Sequence, residues 1–239
     1  MPASAPVPIS RRRGFTTSEL MVAVVIMGFV AAGIGSFLRQ MSLMYYSDRA
    51  RILISKDMRK FTTKLDDDAV TANYFCIYPG FSSRSVTVGS VTSDAAVADG
   101  EVGDLLVLVY TDPASTGSGT SMINRLVGYY REITNSTLNT GPVHRFDVTI
   151  SPAVAASSNP MYVILNTYVT GTAASYPTIE EISQGLELNN ALSTTTPALF
   201  YNRQNRSVLV SAQVSEIQAE AGTNTQTGNT YNFTVSPRG

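Results

Sequence analysis

The side chains that carry most protein chemistry are scarce in this chain. It holds a single histidine, His144, and a single cysteine, Cys76. A zinc site built from His and Cys needs three or four ligands, more than the two together supply. A hydrolytic triad would have to run through His144, and a lone cysteine closes no intramolecular disulfide. His144, beside Arg145 at the start of a β-rich segment, reads as a surface residue, and Cys76 as a small buried hydrophobe. Asp66-Asp67-Asp68 lacks the spacing and the glycine of a calcium loop, and reads as the solvated acidic end of a basic helix. Gly117-Ser118-Gly119 is followed by no Lys-Ser/Thr and opens no helix, so it is a loop rather than a phosphate cradle. That leaves Glu19, a carboxylate immediately before an uncharged apolar run from Leu20 to Leu38. Such a charge costs a few kcal/mol at the edge of a membrane segment and is rarely kept without a partner.

The element that must position Glu19 is a long helix. The run from Leu20 to Leu38 meets the length of about 20 residues needed to cross a bilayer. It is too long for a signal-peptide core of roughly 7–15 residues, and no small-x-small cleavage site closes it. Met1–Ser10 contains three prolines and reads as an unstructured leader, and Arg11, Arg12 and Arg13 follow it. No proline then occurs until Pro79, which fits one continuous helix from Phe15 to about Val70. Its half over 15–38 is apolar all round; its half over 39–72 is amphipathic. Leu43, Tyr46, Ala50, Ile54, Met58, Phe61 and Leu65 recur at spacings of three or four on one face. Asp48, Arg49, Arg51, Lys56, Arg59, Lys60 and Lys64 form the wet face. Within the apolar half, Gly28, Ala32 and Ser36 recur every four residues, a spacing that lets membrane helices approach closely.

Beyond Asn73 the pattern turns to period two, and residues 73–239 read as a β-rich head. Asp104–Tyr110 is a solid apolar run, expected to be a central strand. Arg125–Ile133, Arg145–Ile150 and Met161–Val169 are β-branched and aromatic, and are expected to be strands. Val208–Ser215 and Tyr231–Ser236 alternate as half-buried antiparallel strands do. Thr111–Ser121, Thr170–Pro197 and Ala221–Asn229 are rich in Ser, Thr, Gly and Asn and read as loops, with a short helix expected over Thr178–Leu188. Hydrophobic residues are 44% of the chain and charged ones 15%, too apolar for a disordered protein. Lys+Arg 17 against Asp+Glu 18 gives a net charge of -1, which excludes a strongly basic nucleic-acid binder.

The segment Arg11-Arg12-Arg13-Gly14-Phe15-Thr16-Thr17-Ser18-Glu19-Leu20 resembles the N-terminus of the type IV pilin and pseudopilin superfamily. Those proteins carry a basic leader ending in Gly, a Phe after it, a Glu four residues on, and a continuous hydrophobic stretch. The resemblance covers Arg11 to about Leu38; Thr17 and Ser18 are more polar than the family's usual residues there. It implies an α+β, pilin-like fold, with a long N-terminal helix packed on an antiparallel β-rich head. It also implies that a prepilin peptidase removes residues 1–14 by cutting between Gly14 and Phe15, and methylates the new amine of Phe15. Glu19 would then pair with that amine on a neighbouring subunit and set the axial register of a filament. The mature chain would be a structural subunit of a type IV pilus or a type II secretion pseudopilus, not an enzyme. It would need no cofactor, metal or small-molecule substrate, and nucleic acid is not an expected partner. Its expected partners are the peptidase, other pilin or pseudopilin subunits, the inner-membrane assembly platform, and membrane lipid before assembly. It would cross the inner membrane once, N-terminus in the cytoplasm and head periplasmic or extracellular. The bulky head and the charge-flanked stripe over Ser55–Asp68 resemble the J-type pseudopilins and W-type minor pilins. Two other classes remain open: an anchored or secreted binding module or adhesin, which would keep its leader, and an anchored hydrolase working through His144.

Overall fold

The computed structural model describes residues 16–112, 121–134, 141–157, 159–177, 186–187, 198–220 and 223–237. The chain forms two compact units, Met1–Asp48 and Arg49–Gly239. Helix α1 spans Thr17–Thr71, 55 residues free of proline. In the first unit every described side chain from Leu20 to Leu38 is exposed, Phe29 to 77%. An apolar surface so continuous belongs in lipid or against other helices.

In the second unit α1 has a core-facing stripe. Met58, Phe61, Leu65, Ala69 and Ala72 are buried at spacings of three or four. Burial of a large apolar side chain contributes about 1.5–3 kcal/mol, so Phe61 and Leu65 anchor this part of the helix. Leu43 and Tyr46, expected on the same stripe, are exposed. Burial along the helix begins at Met58, where the second unit packs its core on it. The side chains of Ala50 and Ile54 lie outside the described residues. The helix stops at Asn73, whose backbone N–H donates to the Val109 carbonyl (2.9 Å) and whose side-chain oxygen accepts from the Thr111 N–H (2.8 Å). Those bonds turn the chain out of the helix and into a strand.

That strand, β1 (Tyr74–Tyr78), opens the head. It is followed by β2 (Ser85–Val88), β3 (Val91–Asp94), β4 (Val102–Gly103), β5 (Leu105–Asp112), β6 (Met122–Arg131) and β7 (Val143–Ala155). Helix α2 (Met161–Tyr168), β8 (Leu186–Glu187), β9 (Phe200–Arg203), β10 (Ser207–Glu220) and β11 (Thr223–Val235) complete it. One antiparallel sheet has the order β1-β5-β6-β7 and a second has β11-β10-β9-β4, with β8 also on β10. β5 is buried on both faces. Leu106, Leu108 and Tyr110 share a core with Phe61 and Leu65 of α1, while Leu105, Val107 and Val109 share another with Ile164 and Leu165 of α2. Helices on both sides explain why this strand reads as an unbroken apolar run.

The chain passes from one sheet to the other across a single residue, Asp104, between β4 and β5. Its carboxylate accepts from Arg131 Nη2 (2.7 Å) and from the Leu199 N–H (2.9 Å). Burial raises the Asp104 pKa despite the opposing charge of Arg131. Just before it, Gly103 lies so close to β1 that a Cβ would stand 2.2 Å from the Tyr78 carbonyl oxygen. Only glycine fits there.

Two local expectations are corrected. Met161–Tyr168 is a helix, not a strand: Met161, Ile164, Leu165 and Tyr168 fall on one face at helical spacing and pack on the sheet. That period outweighed the β-branched composition. Residues 223–229, expected to be loop, are strand in β11, which pairs with β10 in continuous register from Val208↔Val235 to Glu220↔Thr223. Main-chain hydrogen bonds form that ladder whatever the side chains, and its Thr, Asn and Gln content hid it. β2 and β3 form a hairpin turning at Gly89, where φ is 66°. Val88-Gly89-Ser90-Val91 carries that turn's signal. Most of the helix expected over 178–188 lies outside the described residues; Leu186 and Glu187 are strand.

Candidate assembly site on the N-terminal helix

The sequence places the processing chemistry at Gly14 and Phe15, which lie outside the described residues. Description begins at Thr16, and there the helix has a reciprocal cap. The Thr16 N–H and its hydroxyl both donate to Glu19 Oε2 (2.9 Å each), while the Glu19 N–H reaches back to Thr16 Oγ1 at 3.4 Å. This is a capping box, a Thr with a Glu three residues on. It satisfies two of the N–H groups that a helix leaves free at its start. Thr16-x-x-Glu19 is legible in the sequence as that box, a signal the family resemblance overshadowed. The polar Ser18 belongs to the same corner, its hydroxyl 3.1 Å from that of Thr16. Both cap bonds use Oε2, and no described residue donates to Oε1. The cap therefore aims the Glu19 carboxylate through one oxygen.

The apolar surface that follows is unbroken by charge and qualifies by length and composition as one membrane-crossing helix. Residues 9–35 match the family described as the prokaryotic N-terminal methylation motif. The N-terminus carries a prepilin-type motif. The matched residues include the basic leader, Gly14-Phe15, Glu19 and most of the apolar run. No curated protein and no solved structure matches the chain. The prepilin-type motif supports a subunit of the pilin and pseudopilin kind, processed by a peptidase and assembled with other such subunits. The apolar helix fits a membrane-anchored form, and the motif points to a structural rather than a catalytic role.

Gly28, Ala32 and Ser36 are exposed. Among the described residues nothing lies within 4 Å of a Cβ built on Gly28. The Ser36 hydroxyl donates to the Gly33 carbonyl (2.9 Å) rather than outward.

The remaining candidates are in the head, and two differ from their sequence reading. His144 is buried, with Nδ1 2.7 Å from the Tyr176 carbonyl oxygen, Nε2 2.9 Å from Glu132 Oε2, and its ring stacked on Tyr130. Both ring nitrogens are engaged inside the fold, so neither is offered to a substrate as a base. The aromatic stack and the pair of acceptors draw it inward, on a strand where Val143 and Phe146 are also buried. Asp68, expected to be solvated with Asp66 and Asp67, is buried, while those two are exposed. Its place on α1, three residues after Leu65, puts it on the core stripe. Arg145 donates to it through Nε (2.9 Å) and Nη2 (3.2 Å), the Tyr129 hydroxyl donates to Oδ2, and the Tyr110 hydroxyl donates to its carbonyl (2.6 Å). Arg145 also reaches Asp147 (2.9 Å), which Arg125 holds through both carboxylate oxygens at 2.8 and 2.7 Å. Burial opposes the Arg145 charge, but the Asp68 hydrogen bonds outweigh it and push its pKa up. Burial, reinforced by Asp68, pushes the Tyr129 hydroxyl well up as well. The network ties the end of α1 to β6 and β7. Cys76 is partly buried, its thiol pushed up to about 12 by burial, then by Asp94. Among the described residues no three His, Cys, Asp or Glu side chains converge to hold a metal.

Proposed function

We propose that the chain is a minor structural subunit of a type IV pilus or type II secretion pseudopilus, of J-type pseudopilin or W-type minor pilin kind. It is cut after Gly14 and N-methylated at Phe15. It waits in the inner membrane with its head outside the cytoplasm, and enters the filament through α1. Glu19 sets the register by pairing with the Phe15 amine of a neighbouring subunit. Gly28, Ala32 and Ser36 give the closest approach between packed helices. The observation that carries this reading is the juxtaposition at the start of α1. There a prepilin-type motif contains a carboxylate that its own helix orients through one oxygen, while the other has no donor among the described residues.

The bulk and two-sheet build of the head favour a minor subunit over a repeated one. Glu19→Ala tests the assembly role: peptidase processing should persist while recovery in sheared filaments or pseudopili falls. Normal incorporation of Glu19→Ala would contradict it. Thr16→Ala, which loses the hydroxyl bonds of the cap but keeps the backbone bond and the carboxylate, should incorporate better than Glu19→Ala.

A further inference from the structure

The head contains a buried cation that the assembly role does not use. Arg84 is 5% exposed and sits beneath α2. Its Nε donates to the Phe81 carbonyl (2.7 Å), and its Nη1 donates to the carbonyls of Val169 (3.0 Å) and Leu165 (3.3 Å). It thus caps the C-terminus of α2, whose partial negative charge, about half an electron, favours a cation there. The guanidinium lies 4.2 Å over the Phe81 ring. Among the described residues no carboxylate pairs with it, and none accepts a bond from Nη2. Burial lowers its pKa, with only tyrosines acting against that, yet arginine stays charged in proteins.

Arg84 lines an open cleft of about 390 Å³ together with Phe81, Ser82, Asn166, Thr170 and Gly171. Asn166 spends its oxygen on Arg84 Nη1 (3.5 Å), which leaves its amide N–H groups to the cleft. The hydroxyls of Ser82 and Thr170 have no described partner. Among the described residues the polar lining is therefore one buried cation and three neutral donors, with no acid. An anion brought here meets donors on several sides and a guanidinium already held by four other bonds, so little ordering entropy remains to be lost. The negative end of α2 cancels about half of the Arg84 charge, which suits a monoanion better than a dianion. The volume lies at the lower end for small-molecule sites, at about 300–1,000 Å³. It exceeds what a bare carboxylate fills, and the hydroxyl and amide donors suit a polyhydroxylated body.

We propose that the cleft between Arg84 and the end of α2 is a binding site for a sugar acid, its carboxylate on Arg84 Nη2 and its hydroxyls on Ser82, Asn166 and Thr170. The site belongs to the head alone, so it stands or falls separately from processing at Gly14. The test uses the full chain in phosphatidylcholine nanodiscs, titrated with glucuronate, glucose and inorganic phosphate, and read by saturation-transfer NMR. Glucuronate should saturate; glucose and phosphate should bind at least about tenfold more weakly, equivalent to about 1.4 kcal/mol. Arg84→Gln should weaken glucuronate at least about tenfold. Ser82→Trp should do the same by filling the cleft with every Arg84 bond intact, so that loss of binding there is not loss of fold. Absence of saturation by glucuronate, equal binding of glucose, tighter binding of phosphate, or unchanged affinity in Ser82→Trp would each overturn the assignment.

Discussion

Three consecutive aspartates that look equivalent in sequence should differ sharply in weight. Asp68→Asn removes the charge that Arg145 and Tyr129 share, with side-chain exposures of 19% for Arg145 and 8% for Asp68. Removing one partner of a buried ion pair costs about 3–5 kcal/mol, because the other charge is left uncompensated. Arg145 keeps one bond to Asp147 (2.9 Å) and some solvent, so the expected loss is about 2–3 kcal/mol. That is a large share of a typical stability of about 5–15 kcal/mol. Asp66→Asn and Asp67→Asn, at exposed positions, should stay within about 0.5 kcal/mol of the parent. The assay is urea unfolding of the full chain in detergent, followed by tyrosine fluorescence, since the chain has no tryptophan. A double variant, Asp68→Ala with Arg145→Met, should recover more than half of the loss, because both charges leave the interior together. Equal losses at all three aspartates, or no recovery in the double variant, would refute the buried-hub account.

Further outcomes follow from other parts of the head. Gly103→Ala should cost about 2–3 kcal/mol in the same unfolding assay, since its Cβ would press on the backbone of β1. Asp147 has its pKa lowered, first by the Arg125 hydrogen bond, then by Arg145 against some burial. A depressed carboxylate stabilises above the unfolded pKa of about 3.9 and loses that as pH falls through its folded value. The stability gap between the parent and Asp147→Asn, of up to about 1 kcal/mol at neutral pH, should therefore close below about pH 4 in acid titrations of unfolding. With its thiol raised to about 12, Cys76 should react with iodoacetamide at pH 8 on the order of a thousandfold more slowly than in urea-unfolded chain.

What the sequence disclosed and what it hid have separate physical causes. The long helix was legible because a proline-free, uncharged run permits little else, and β5 was legible because a strand covered on both faces is apolar throughout. α2 was hidden because its β-branched residues favour strand while its contacts sit at helical spacing. The N-terminal part of β11, residues 223–229, was hidden because its polar side chains carry no alternating signature, unlike Tyr231, Phe233 and Val235 after it. Glu19 was identifiable from the motif around it, but its cap bond to Thr16 needed a local reading of the same residues. Asp68 and His144 were misplaced because burial of a polar group is decided by distant partners, Arg145 and Tyr129 for one, Glu132 and Tyr176 for the other. The recognisable motif is confined to residues 9–35.

The central claim, that this is a processed filament subunit, is tested most directly by the intact mass and N-terminal sequence of the protein recovered from membranes, with and without the host's prepilin peptidase. The account predicts a chain beginning at methylated Phe15 only when the peptidase is present. A chain that keeps its leader in both cases, or one cut within the apolar run, would contradict it.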